Sequence, residues 1–195
     1  MYIDQKSFTM KYVSFKLMTL MLISLCTASK SFSQQSVPVD SLKSMLVQDW
    51  ERAKAYTQDY MKAMPADKYS FKANDSIRSF AQQLLHIAGG TMFLVSTGTG
   101  GKMPAGPNPE QSPTAQTADS VMYYVNSSYD FAINAIKNLS STALLERASF
   151  NMGQTISATR LGWIMKAFEH QTHHRGQTTI YLRLAGVKPP NERLF

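Results

Sequence analysis

From Thr155 to Ala185 no proline interrupts the chain, and one stripe of positions runs along it: Trp163, Ala167, His170, His174, Gln177, Tyr181 and Leu184, separated by steps of four and three. Residues at that spacing line one face of an α-helix. The stretch therefore predicts a long helix that needs partners to cover the stripe, with Gly186 and Pro189-Pro190 ending it. Two histidines stand at inward positions, with apolar residues above and below. Imidazole nitrogens buried in that way must be satisfied. His170 and His174 are one helical turn apart, the spacing with which two rings reach one metal ion.

Partners for this helix are legible upstream. Leu42, Leu46, Trp50, Ala53, Tyr56, Tyr60 and Met64 recur at helical steps, with Asp40 or Ser41 as the cap and Pro65 as the stop. Asn74 or Asp75 caps a second helix, whose seam is Ile77, Phe80, Leu84, Ile87, Thr91 and Leu94 and which fades at Ser96. Gly89-Gly90 within it permits a close neighbour, and His86 lies at its edge. Thr97 to Pro113 is rich in glycine and proline and reads as a loop, a lid or rim beside a site. A third helix is expected from Thr114 to Leu139, with Val121, Tyr124, Val125, Ser128, Phe131, Ala132 and Ala135 on its buried face. Ser140 to Met152 has no clear period, and no segment shows convincing strand alternation. The fold expected is all-α: a four-helix bundle with connections of very different length.

The chemistry available is limited by composition. The sole cysteine is Cys26, so beyond it there is neither a thiol nucleophile nor a thiolate ligand. A metal site must then use histidine, carboxylate and water, and His86 is the one histidine outside the cluster His170, His173 and His174. Three imidazoles with open positions for water is the pattern of a catalytic rather than a structural metal site. His173 is one residue off the stripe and points elsewhere. Gln171 follows His170 where a zincin would carry glutamate, so the helix supplies no built-in base. Gly100-Gly101-Lys102 does not make a phosphate loop, because Ser96 and Met103 stand where a glycine and a hydroxyl residue are required.

The N-terminus is expected to be a secretory signal over residues 1–33. Lys11 and Lys16 precede the apolar run Leu17 to Cys26, and Ser31-Phe32-Ser33 offers a cleavage site before Gln34. The run is short of the roughly 20 apolar residues that span a bilayer, which leaves a retained anchor as the alternative. Leu25 stands before Cys26 where a lipoprotein needs a small residue. Residues 34–195 are then one exported domain, periplasmic or secreted, without disulfides. Without residues 1–33, whose four lysines face one aspartate, the net charge falls from +7 to +4. No basic cluster remains for nucleic acid.

His170-x-x-x-His174-Arg175-Gly176-Gln177, then Tyr181-Leu182-Arg183 and Gly186-Val187-Lys188-Pro189-Pro190, resembles the DinB family of DinB/YfiT-like metalloenzymes. His86-Ile87-Ala88-Gly89 is similar to that family's His-x-Ala-Gly signature, and Lys68-Tyr69-Ser70-Phe71-Lys72 to its first connection. The resemblance spans Val39 to Pro190. It implies an up-down-down-up bundle and a divalent metal held by His86, His170 and His174. Zn or Ni comes first for such a ligand set, then Fe or Mn. Gln177 would orient a ligand or a bound water, Arg175 would buttress the bundle or meet an anionic substrate, and Gly176 would admit a neighbouring helix.

Two classes of function follow. One is a metal-dependent enzyme acting on an unknown small molecule, hydrolase-like first because the low-molecular-weight thiols used by transferase-like relatives are cytosolic, with a thiol-dependent transferase-like enzyme as the alternative. Tyr181, Tyr124 and Glu169 are its acid–base candidates. The other is a non-catalytic metal- or ligand-binding module, a possible homodimer. Neither implies a nucleic-acid partner or a stable membrane anchor after cleavage.

Overall fold

The structure, a computed structural model, describes residues 38–103 and 108–195. The expected signal segment lies outside them. Among the described residues four long helices make the bundle: α1 (Val39–Ala63), α2 (Phe80–Thr99), α3 (Ala118–Asn138) and α4 (Arg160–Leu184). None is long and apolar enough to cross a membrane.

Side-chain pairs fix the helix directions. Lys54 meets Asp130 and Gln58 meets Asn126, so α3 runs antiparallel to α1. Tyr60 meets Thr179 and Arg175 meets Thr57, so α4 runs parallel to α1. Gln83 meets His174 while Gly98 lies against Trp163, so α2 runs antiparallel to α4. The topology is up-down-down-up, as the resemblance implies, with α1 and α2 on the diagonal.

The seams read from sequence are the core. Leu46, Trp50, Ala53, Tyr56 and Tyr60 of α1, Phe80, Leu84 and Ile87 of α2, and Val121, Val125 and Ala132 of α3 are all buried. Each large aliphatic or aromatic side chain so placed contributes about 1.5–3 kcal/mol of burial. Trp50 sits at the centre with its edge on Tyr129 at 5.7 Å and Phe168 at 5.5 Å between ring centroids.

Boundaries differ where short polar residues have another use. α2 starts at Phe80, not at Asn74. Asn74 turns its side chain onto the Ser76 backbone N–H at 2.9 Å, and Ser79 with Gln82 forms the capping box instead. Ile77 is accordingly exposed. α2 also runs past Ser96 to Thr99 and ends on Gly100 at φ 75°. α3 begins at Ala118, capped by Thr117, after a 3-10 turn over Pro113–Gln116.

The expectation of no strand is corrected. β1 (Arg147–Asn151) and β2 (Thr155–Thr159) form an antiparallel hairpin with Phe150 opposite Ile156. Its three-residue loop needs one left-handed residue, and Gly153 supplies it at φ 82°. The alternation is real but brief: Ala148, Phe150, Ile156 and Ala158 share one face, and Arg147, Ser149, Ser157 and Thr159 the other. Because β2 takes Thr155–Thr159, α4 starts at Arg160, capped by the Thr159 hydroxyl on the Gly162 N–H. The Trp163 indole donates to the Ala148 carbonyl at 2.9 Å and ties the hairpin to the helix.

Candidate metal centre

α4 has two working faces rather than one stripe. Toward α1 and α3 it buries Gln171, Arg175 and Thr178. Toward α2 it presents His170, His174 and Gln177, all partly buried. Leu184, the last member of the expected stripe, is 59% exposed because α4 ends there. Across from His170 and His174, in the first half of α2, stands His86.

The three histidines converge. One nitrogen from each of His86, His170 and His174 lies within 4.8 Å of the others. His86 Nε2 and His170 Nε2 are 3.3 Å apart. Two nitrogens at about 2.0–2.1 Å from one tetrahedral zinc are about 3.4 Å apart, so this pair already has the separation of two ligands on one ion. Two bare lone pairs at that distance repel, and a proton or a cation must lie between them.

The outer nitrogens decide which side of each ring faces inward. His86 Nδ1 is 2.9 Å from Glu110 Oε2. His174 Nδ1 is 3.0 Å from both Gln83 Oε1 and Gln177 Oε1. An acceptor on Nδ1 fixes the hydrogen there and leaves Nε2 with its lone pair. His170 is held differently. Its Nδ1 is buried without a partner, and its ring lies on the backbone at Gly90. The close neighbour that Gly90 permits is this ring.

Electrostatics keep two of these rings neutral. Burial, reinforced by the nearby His86, lowers His170 to about 4. Burial and then the charges of His170 and His86 lower His174 to about 4, against the hydrogen bond that it donates to Gln177, which works the other way. A neutral imidazole is the form that ligates a metal. Glu110 feels burial, which alone would raise it, yet the hydrogen bonds from Arg78 and His86 hold it below the ordinary carboxylate range.

The other candidates lie around or away from the trio. Gln177 reaches His174 and, through its amide nitrogen, His173 Nε2 at 3.1 Å. His173 itself is exposed. Arg175 points into the α1 side, donating to Gln171 Oε1 at 2.7 Å and stacking over the Tyr56 ring at 4.6 Å. Tyr181 gives its hydroxyl to the Arg78 carbonyl at 2.6 Å. Tyr124 sits on α3 with its ring beside Tyr123. Glu169 is exposed and pairs with Lys166 at 2.6 Å. A Cβ added at Gly176 would meet nothing within 4 Å, so the glycine admits no neighbouring helix: it faces solvent.

Glu110, Arg78 and Gln83 were not singled out by sequence. Gln83 carried a usable signal, being one turn before His86 on the same helix. Glu110 carried none, because it lies in an aperiodic connection.

A model of the DinB family matches residues 36–193. Among solved structures, a DinB-like protein from Bacillus cereus ATCC 10987 is similar with a TM-score of 0.63 and 21% identity, over 75% of this chain and 95% of that one. A DinB-like protein from Bacillus subtilis is similar with a TM-score of 0.57 and 18% identity, over 77% of this chain and 96% of that one. At these identities the likeness is one of fold. Comparison with curated proteins found no match.

Proposed function

Since the chain belongs to the DinB family over residues 36–193, we propose that it is an exported, divalent-metal-binding bundle acting as a hydrolase-like enzyme on a small molecule. His86, His170 and His174 are the protein ligands. The observation that carries the reading is the convergence of their three nitrogens within 4.8 Å. The donor set fits Zn or Ni, then Fe or Mn. A bound ion would supply Lewis acidity to an oxygen of the substrate or of water.

The chain's own residues do the rest. Gln83 and Gln177 accept from His174 Nδ1 and hold its ring in one orientation. Gly90 leaves room for the His170 ring. Arg175 acts on the bundle rather than on a substrate, because its guanidinium is buried against Gln171 and Tyr56. Export rests on the lysines and apolar run of residues 11–26.

One observation favours a second reading, a non-catalytic metal-binding module. Glu110 has both carboxylate oxygens engaged, by Arg78 and by His86, and so is not free to act as a base.

The test is metal analysis of the protein and of His174→Ala after repletion and dialysis. The wild type is expected to retain stoichiometric metal, and the variant to bind it at least about 10-fold more weakly. If neither carries stoichiometric metal, both readings fail. Cobalt substitution separates them. A visible spectrum that shifts on adding azide or free imidazole marks an open position and an enzyme; an unresponsive spectrum marks the module.

A further inference from the structure

We infer that Glu110 is a positioning residue that fixes the ring tautomer of His86 and thereby couples the α2–α3 connection to metal occupancy. The inference deepens the metal reading above and rests on it.

The geometry is specific. Glu110 Oε2 stands 2.9 Å from His86 Nδ1 and Oε1 stands 2.5 Å from Arg78 Nε. A carboxylate only accepts, so the hydrogen of the neutral ring resides on Nδ1. The lone pair is then on Nε2, the atom that faces His170 Nε2 at 3.3 Å. Glu110 binds the outer side of the ring, which makes it a support for a ligand rather than a fourth ligand.

The connection is built to present this one side chain. Asn108 Oδ1 accepts from the Glu110 N–H at 3.0 Å, and Pro109 opens a 3-10 turn over Pro109–Gln111. Downstream, Ala115 is buried and anchors the following turn. Arg78, which grips the other carboxylate oxygen, is itself fastened to α4 through the Tyr181 hydroxyl on its carbonyl. A chain of contacts therefore runs from α4 through Tyr181, Arg78 and Glu110 to His86, and it closes on the helix that carries the other two histidines. The Tyr181 hydroxyl thereby acquires a role in holding Arg78.

Linkage then gives the consequence. If holding His86 through Glu110 strengthens metal binding, metal must strengthen the hold on Glu110 by the same factor. Metal occupancy is expected to protect the backbone of residues 108–116, which the Glu110 side chain links to His86.

The experiment uses the full chain and three proteins: wild type, Glu110→Gln and Glu110→Ala. Zinc affinity is measured against a chromophoric chelator, the His86 tautomer by long-range 15N–1H NMR of the zinc-loaded protein, and amide exchange of residues 108–116 with and without zinc. Glu110→Ala is expected to bind zinc about 10- to 100-fold more weakly. It should also lose the protected His86 Nδ1–H signal and the zinc-dependent protection. Glu110→Gln, whose amide oxygen still accepts but carries no charge, falls between. Melting temperatures in chelator are expected to be alike for all three, which separates positioning from folding. Wild-type affinity, tautomer and protection in Glu110→Ala would overturn the inference and leave the metal reading standing. A wild type that binds none of zinc, nickel, iron(II) and manganese(II) overturns both.

Discussion

The His170 ring rests directly on Gly90: a Cβ added there would lie 2.2 Å from His170 Cε1. The obstruction is a ring at the end of a side chain, so the ring moves and the helices stay. Gly90→Ala also gains up to about 1 kcal/mol of helix propensity. The variant is expected to fold with near-wild-type stability and to bind metal at least about 10-fold more weakly. Urea unfolding in chelator and a zinc competition titration check the two halves. Unchanged affinity would mean that His170 is not a ligand.

His173 offers the contrast within one cluster. It is exposed, sets its ring edge-on against His174 at 4.9 Å between centroids, and hydrogen-bonds to Gln177 rather than into the trio. His173→Ala is expected to keep its metal stoichiometry under conditions in which His170→Ala and His174→Ala lose theirs. Parallel metal analysis of the three variants decides it, and metal loss in His173→Ala alone would refute the ligand assignment.

Acid should weaken the metal-free protein through the same two rings. Unfolded histidine protonates near pH 6.5, whereas His170 and His174 in the fold do so only at about 4. Between these values the unfolded chain binds more protons, so stability falls as pH drops from about 6.5 to about 4 and does not change on this account above it. Both rings are partly exposed, and solvent screening reduces the effect. Urea midpoints in chelator at pH 7.5, 6 and 5 are expected to decline. A His170→Asn/His174→Asn double variant should flatten the decline, and an equal slope in both proteins would refute the assignment.

Arg175 is 7% exposed and has no carboxylate among its hydrogen-bond partners, Gln171 and Thr57. Arg175→Ala removes packing and a charge-assisted donor and is expected to cost about 2–3 kcal/mol. Arg175→Met keeps the volume and removes a buried charge. Tyr129 still donates to Gln171 Oε1 at 2.8 Å in its absence. The methionine variant should therefore cost about 1 kcal/mol or less. Denaturant unfolding of both variants checks the ranking; equal losses would mean that the guanidinium is specifically required.

The legible parts of the molecule were those whose signal is periodic or chemically rare. The seams through Trp50, Leu84 and Val125 named the helices, and four histidines in the whole chain left little choice of ligands. The hairpin was missed because five-residue strands give only two or three alternations, and Ile156 and Phe150 remain 40% and 37% exposed, too wet to mark a core face. The α2 start was misplaced because Asn74 and Ser79 are both good caps, and only the turn at Ser76 decides between them. α4 misled in a subtler way. Gln171, Arg175 and Thr178 look like a solvent face, yet they are buried, because the bundle satisfies each with a partner from its own or a neighbouring helix.

Because α2 and α3 run in the same direction, the chain must travel the length of the bundle between them. α2 has 20 residues, about 30 Å of helix. An extended chain covers that in about nine residues, and Gly100 to Thr117 supplies twice as many. Tethering alone accounts for about half of that length. Deletions confined to its first half should be absorbed, while removal of Asn108–Ser112 leaves a bundle that closes but has lost Glu110, its carboxylate contact with His86. Length here is cheap, and the position of one carboxylate along it is not.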